Sequence, residues 1–235
     1  MDAALKIITL LPWTDWLALG WFFAAWLAYA LFARHRGQTE MTVLGVTNQL
    51  RRQWMLQTTH RDVRVIDGIV IQSLSSSPSF FASTTILIIG GLLAVLGTSE
   101  KATELVAEIP FAARTSVLVF DLKVLVLTGV FVFAFFRFTW SLRQYTFGAL
   151  MIASAPDYRV FERGEASRDD FAERAGRVVG LAAETFNDGL RAYYMAFALI
   201  GWFFSPWVFA VLTAGVISIL YQREFRSDVL AVLKS

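Results

Sequence analysis

Cysteine is absent from the 235 residues. Disulfides, thiolate metal sites and thiol nucleophiles are therefore excluded. Histidine occurs twice, at His35 and His60, too few for a His-rich metal site. Charged residues are scarce at 17%, against about 25% in a soluble globular domain. That scarcity excludes a disordered chain and argues against an ordinary soluble enzyme. H-E-x-x-H, G-x-S-x-G and phosphate-loop signatures are missing. A nucleophilic serine would need His60 as its base, and nothing in the sequence pairs them. Strands alternating with helices, as a dinucleotide fold requires, are absent. Both histidines sit in or beside one polar loop rather than at mid-bilayer, so a haem lacks axial ligands. The expectation is a protein without catalytic residues, metal or cofactor.

What is present is apolar. Hydrophobic residues make up 56% and aromatics 15%, with 21 Phe and 8 Trp, and the mean hydropathy is +0.54. A helix needs about 20 mostly apolar residues to cross the hydrocarbon. Four windows meet or approach that length: 16–33, 79–97, 117–140 and 192–221. The first ends at Arg34-His35-Arg36 and lacks the basic lead and small-residue cleavage site of a signal peptide. Pro78 precedes the second, a tolerated first-turn position. The fourth is interrupted by Ser205-Pro206. As one helix it is about 45 Å long and needs tilt and a kink at Pro206. As a hairpin it leaves arms of about 13 to 15 residues, too short to span. The arm lengths favour one kinked helix.

Basic residues set the expected orientation. Thirteen lie in the loops 34–78 and 141–191, six lie on the other side, and Lys123 and Arg137 lie within a span. Both loops are expected in the cytoplasm and both termini outside. The pI near 9.0 follows from this membrane rule, so no nucleic-acid partner is expected. Trp13 and Trp16 mark the outer end of the first span, and Trp140 the inner end of the third. Residues 3–11 suggest a short surface helix stopped by Pro12. The stretch 38–64 mixes Met41, Leu44, Leu50, Trp54 and Met55 with Arg51 and Arg52. It fits a basic amphipathic helix at the membrane surface or one packed on a neighbour. Ser167 opens a further helix with Asp169 and Asp170 in its first turn. Phe171, Ala175, Val178, Ala182, Thr185 and Gly189 form its stripe, and Glu173–Arg177 an i,i+4 pair. Segment 155–166 is the linker.

Four features bear on function. Gly20, Ala24 and Ala28, and likewise Ser83, Gly90, Ala94 and Gly97, put small residues on single helix faces. Such faces serve packing within the chain or between subunits. Gln72, Ser76, Ser79 and Ser83, with Thr84 alongside, form a polar stripe entering the second span. It can line a water-filled path, or its hydroxyls can bond back to carbonyls. Asp121, Lys123 and Arg137 are charges within a span. Each costs roughly 2.5 to 3.5 kcal/mol on insertion scales when isolated. Asp121 can pair with Arg114, and Lys123 and Arg137 can snorkel or join buried pairs. Finally, Arg143, Gln144, Asn187, Asp188 and Arg191 flank the inner ends of the third and fourth spans. With Arg64 and Asp67 they can hold an anion, a lipid head group or each other.

Three strings carry a resemblance. They are Phe81-Ala82-Ser83-Thr84-Thr85 with Gly90-Gly91, then Trp140-Ser141-Leu142-Arg143-Gln144 with Ala155-Pro156. The third is Gly189-Leu190-Arg191-Ala192-Tyr193-Tyr194 with Gly201-Trp202-Phe203 and Pro206-Trp207. Together they resemble the bacterial and plant membrane family called domain of unknown function 599. The resemblance implies a four-helix membrane protein without an assigned activity, and gives weight to Arg143, Gln144 and Arg191. The expectation is an all-α, single-domain protein of the bacterial inner membrane with four spans and helical cytoplasmic loops. Its function is expected to be that of a homo-oligomeric channel or transporter-like protein for small ions or solutes. The alternative is a non-transporting scaffold or accessory subunit of a larger membrane complex. In either case anionic lipids are the expected surroundings.

Overall fold

The structure is a computed structural model and describes residues 11–39, 42–108 and 115–234. Among the described residues every regular element is helical. The helices are α1 (Trp13–Thr39), α2 (Val43–Thr58), α3 (Val65–Leu96), α4 (Ser99–Glu108) and α5 (Val117–Ala153). There follow α6 (Tyr158–Glu162), α7 (Arg168–Ile200), α8 (Pro206–Phe225) and α9 (Asp228–Lys234). Among the described residues four stretches are long and apolar enough to cross a membrane: Trp13–Arg36, Val65–Leu96, Val117–Ala153 and Pro206–Leu233. The expected surface helix over 3–11, Leu11 apart, lies outside the described residues.

The chain divides into two compact units. The first comprises Met1–Arg36, Thr85–Phe133 and Arg191–Arg223, and the second Gly37–Thr84, Ala134–Leu190 and Glu224–Ser235. In the first unit α1 lies antiparallel to the end of α7. Asp15 meets Trp202, and Tyr29 lies under Arg191. α8 runs parallel to α1, with Phe22 against Phe209, Trp21 donating to the Ala210 carbonyl, and Phe32 against Tyr221. The end of α7 is the buried member of this unit. Ala192, Met195, Ala196, Ala198 and Leu199 are all closed to solvent.

These contacts correct the kinked helix expected over 192–221. The Arg223 guanidinium donates to the Tyr194 hydroxyl, which a continuous helix would hold about 43 Å apart at 1.5 Å per residue. The chain instead turns through a 3₁₀ segment, Gly201–Phe203, and reverses. Pro206 takes the first position of α8, where its missing N–H costs nothing. Ser205 caps it, its hydroxyl accepting from the Val208 N–H at 3.1 Å. Gly201 keeps the turn close to α8: a Cβ there would lie 2.6 Å from Leu212 Cδ1 and 3.2 Å from Val208 Cγ1, so those side chains would have to shift. The length argument failed because its first arm was counted from 192. That arm is the tip of a 33-residue helix that starts at Arg168, and the second arm runs 20 residues to Phe225.

The second unit packs α2, α6 and the long polar part of α7 around Met55, Ile71, Tyr145, Ile152, Phe161 and Phe171. Ser167 caps α7 as expected, its hydroxyl accepting from the Asp170 N–H. The stripe holds at Phe171, Ala175, Ala182 and Thr185, with Val179 rather than Val178 facing the core. Glu173 does not pair with Arg177. It binds Arg52 at 2.9 Å, while Arg177 binds Glu184 at 3.1 Å. α2 is packed on α7, and Gly176 makes the closeness possible: a Cβ there would lie 2.9 Å from Arg52 Cα.

Candidate functional site

The first unit holds a charged cluster in its interior. Asp15 is 6% exposed and Lys123 2% exposed. The two charges face each other at 3.8 Å, too far to share a hydrogen bond. Trp202 bridges them. Its indole N–H donates to Asp15 Oδ1 at 2.7 Å, and its carbonyl accepts from Lys123 Nζ at 2.8 Å. The ammonium also stands 5.3 Å from the indole centroid, within cation–π range. Helix ends favour both signs. Asp15 lies in the first turn of α1, and Lys123 meets a carbonyl that closes the end of α7. Lys123 is therefore a buried staple rather than a snorkelling cation. Asp121, two residues away, is half-buried, and its Oδ1 has no partner among the described residues. Its expected partner Arg114 lies outside them.

The polar stripe is on the outside. Gln72, Ser76, Ser79 and Ser83 are exposed, and Thr84 is half-buried. The buried hydroxyl of this helix is Thr85, which shares a 2.7 Å hydrogen bond with Tyr193. Ser76 donates to the Ser73 carbonyl and Ser75 to the Gln72 carbonyl. Gln72 and Ser75 nevertheless line a shallow groove of about 290 Å³ in the second unit, opposite Tyr145 and Thr146. A larger groove of about 620 Å³ in the first unit, between α1 and α5, is lined by Phe23, Trp26, Leu27, Val126 and Phe133. It has no polar group to orient a ligand and suits lipid tails.

The anion candidates have different partners. Arg64 is consumed by the fold, donating to the Ala155 and Pro156 carbonyls at 2.8 and 2.5 Å. Asp67 is buried beside the turn before α3, and its Oδ1 accepts from Trp54, Thr58 and Arg61. Arg137 pairs with Asp188. Arg143 is exposed over the Phe147 ring. Gln144 is half-buried with its Oε1 unpartnered among the described residues, and Asn187 is half-buried. Arg191 stacks on Tyr29 in the first unit. Outside the spans, burial pulls the Arg51 guanidinium below its ordinary range, and Tyr145 and Glu184 oppose that shift. The guanidinium donates to the Thr47 hydroxyl and the Asn48 side-chain oxygen. Among the described residues no group of His, Cys, Asp or Glu could hold a metal ion.

The family model described as "Protein of unknown function, DUF599" matches residues 17–229. The chain belongs to that family. The DUF599 match takes in most of α1 and everything through the start of α9, so the charged cluster's Lys123 and Trp202 lie inside it and Asp15 just before it. No curated protein and no solved structure matches the chain.

Asp15 and Trp202 escaped the sequence reading. A signal existed: Asp15 is an acid between Trp13 and Trp16 at the mouth of an uncharged span. An acid there costs several kcal/mol unless a cation inside the bundle meets it.

Proposed function

We propose that this integral membrane protein is a homo-oligomer that passes small ions or solutes along a polar path at the boundary between copies. One observation carries the proposal. The polar face of α3, with Gln72, Ser76, Ser79 and Ser83, is exposed on a helix otherwise suited to lipid. Asp15 and Lys123 inside the first unit are locked to each other through Trp202, so neither is free to line a path through one copy. The Ser76 hydroxyl is bonded within its own helix; Ser79 and Ser83 facing a neighbouring copy have partners or water, whereas lipid offers neither. Arginines near the span ends, such as Arg143, favour anionic lipid. No catalytic role is part of the proposal.

The proposed topology has five crossings rather than four, with the end of α7 enclosed by the others. The amino terminus then lies outside an inner membrane and the carboxyl terminus inside.

Purified protein in liposomes tests the path. Flux of small ions above that of empty vesicles is expected, and Ser79→Leu with Ser83→Leu should lower it at least tenfold. Equal flux in the variant would sink the proposal. The scaffold alternative draws on the Ser75 and Ser76 hydroxyls, which are satisfied by their own helix. Absence of flux in every lipid tried, with a partner subunit co-purifying, is its expected signature.

A further inference from the structure

The groove of about 620 Å³ in the first unit has walls of large rings and two small members. α1 and α5 run the same way beside it. Asp15 faces Lys123, and further along both helices Trp26 meets Phe133 edge-on, with ring centroids 5.6 Å apart. Ala30 and Gly129 are the small residues of the lining. A Cβ at Gly129 would meet nothing within 4 Å, so no neighbour in the chain fills that space. Phe23, Leu27 and Phe133 remain 46%, 62% and 45% exposed. The groove is therefore open to the surroundings along its length.

The lining carries no polar side chain, but the α1 face that supplies it ends in one. Phe23, Leu27, Ala30 and Arg34 follow at steps of four, three and four, which keeps them on one side of the helix. Arg34 is exposed and has no partner among the described residues. From Trp16 to Thr39 α1 contains no acid, so nothing on this helix after Asp15 offsets the charge. Phe23 lies at the middle of the apolar window 16–33. From there to Arg34 is eleven residues, about 16 Å of helix. That is about half of a hydrocarbon core of roughly 30 Å. The face runs one leaflet deep, from the centre of the bilayer to a free cation at its surface.

We infer that this groove is a site for one anionic phospholipid, with an acyl chain along Phe23, Leu27, Ala30 and Gly129 and the phosphate on Arg34. The fork of the guanidinium suits phosphate oxygens. A zwitterionic head group would bring an ammonium that finds no acid on this part of α1. A second copy is a poorer occupant. Set on this face by a two-fold axis along the membrane normal, it would bring Arg34 onto Arg34. One chain builds the whole site, which needs neither a neighbouring copy nor the path proposed above.

Native mass spectrometry of the purified full chain tests the site, with phosphatidylglycerol and phosphatidylethanolamine of identical acyl chains added in turn. The first phosphatidylglycerol is expected to bind about fivefold tighter, the worth of one arginine at the surface. Arg34→Gln should abolish that preference and leave phosphatidylethanolamine unchanged. Arg36→Gln removes an equal charge two residues on, from the side of α1 that carries Phe32, and should keep the preference. Gly129→Leu puts a side chain into the groove and should weaken both lipids severalfold. Gly215→Leu, at an equally open glycine on α8, should weaken neither. With Gly129→Leu in place, Arg34→Gln should have little further effect, because chain and phosphate belong to one lipid. Effects that multiply independently would put them on two lipids and overturn the site. An undiminished preference in Arg34→Gln, or equal losses from Arg36→Gln or Gly215→Leu, would leave only general attraction to the lipid surface. A change in the number of copies with Gly129→Leu, and none in bound lipid, would give the groove to a neighbouring chain instead.

Discussion

At the scale of single residues, the cluster of Asp15, Lys123 and Trp202 shows how a membrane protein keeps charge in its interior. Neither charge relies on the other alone. The carboxylate takes the indole N–H and the ammonium takes the same residue's carbonyl. Removing one member leaves the other buried and uncompensated, which costs about 3–5 kcal/mol. Lys123→Ala is expected to lose stability in that range in detergent unfolding. Lys123→Met combined with Asp15→Asn should recover most of it, because a neutral pair carries less desolvation cost. A double variant no better than Lys123→Ala would remove charge compensation as the explanation. Sequence alone identified Lys123 as costly but not its partner, because the two positions are 108 residues apart and join only through the reversal at Gly201.

Helices were legible where one periodicity ran long enough. The start of α7 at Ser167 and the core faces of Phe171, Ala175 and Ala182 follow directly from spacing. The α7–α8 boundary was not, because apolar residues run through both sides of the turn. There the deciding signals are local: glycine before a close approach, then serine and proline as cap and first residue. The packing of α2 on α7 depends on another such approach. Gly176→Ala should destabilise by about 1–3 kcal/mol, since the new methyl meets Arg52 backbone rather than a movable side-chain tip. Gly68→Ala, with nothing within 4 Å, should instead stabilise by up to about 1 kcal/mol through helix propensity. The two thermal shifts should therefore differ in sign. Equal shifts would mean that α2 is free to move away from α7.

At the scale of the whole molecule, the reversal between α7 and α8 supports the five-crossing topology proposed above. With α7 and α8 as separate arms, Arg223, Arg226 and Lys234 join the loops 34–78 and 141–191 on one side. The basic residues then divide sixteen against three, with Lys6, Lys101 and Arg114 opposite. Thirteen against six, the division for a single kinked helix, obeys the positive-inside rule less well. The contacts between Phe22 and Phe209 and between Phe32 and Tyr221 also set the direction of α8, and they involve no charge, so they support the reversal apart from the basic-residue count. A reporter fused after Ser235 checks the result. A fluorescent protein that matures only in the cytoplasm should glow there, and an alkaline phosphatase active only outside should stay silent. The reverse pattern would return the carboxyl terminus to the outer side. It would also require that α8 leave α7, breaking the contact between Arg223 and Tyr194.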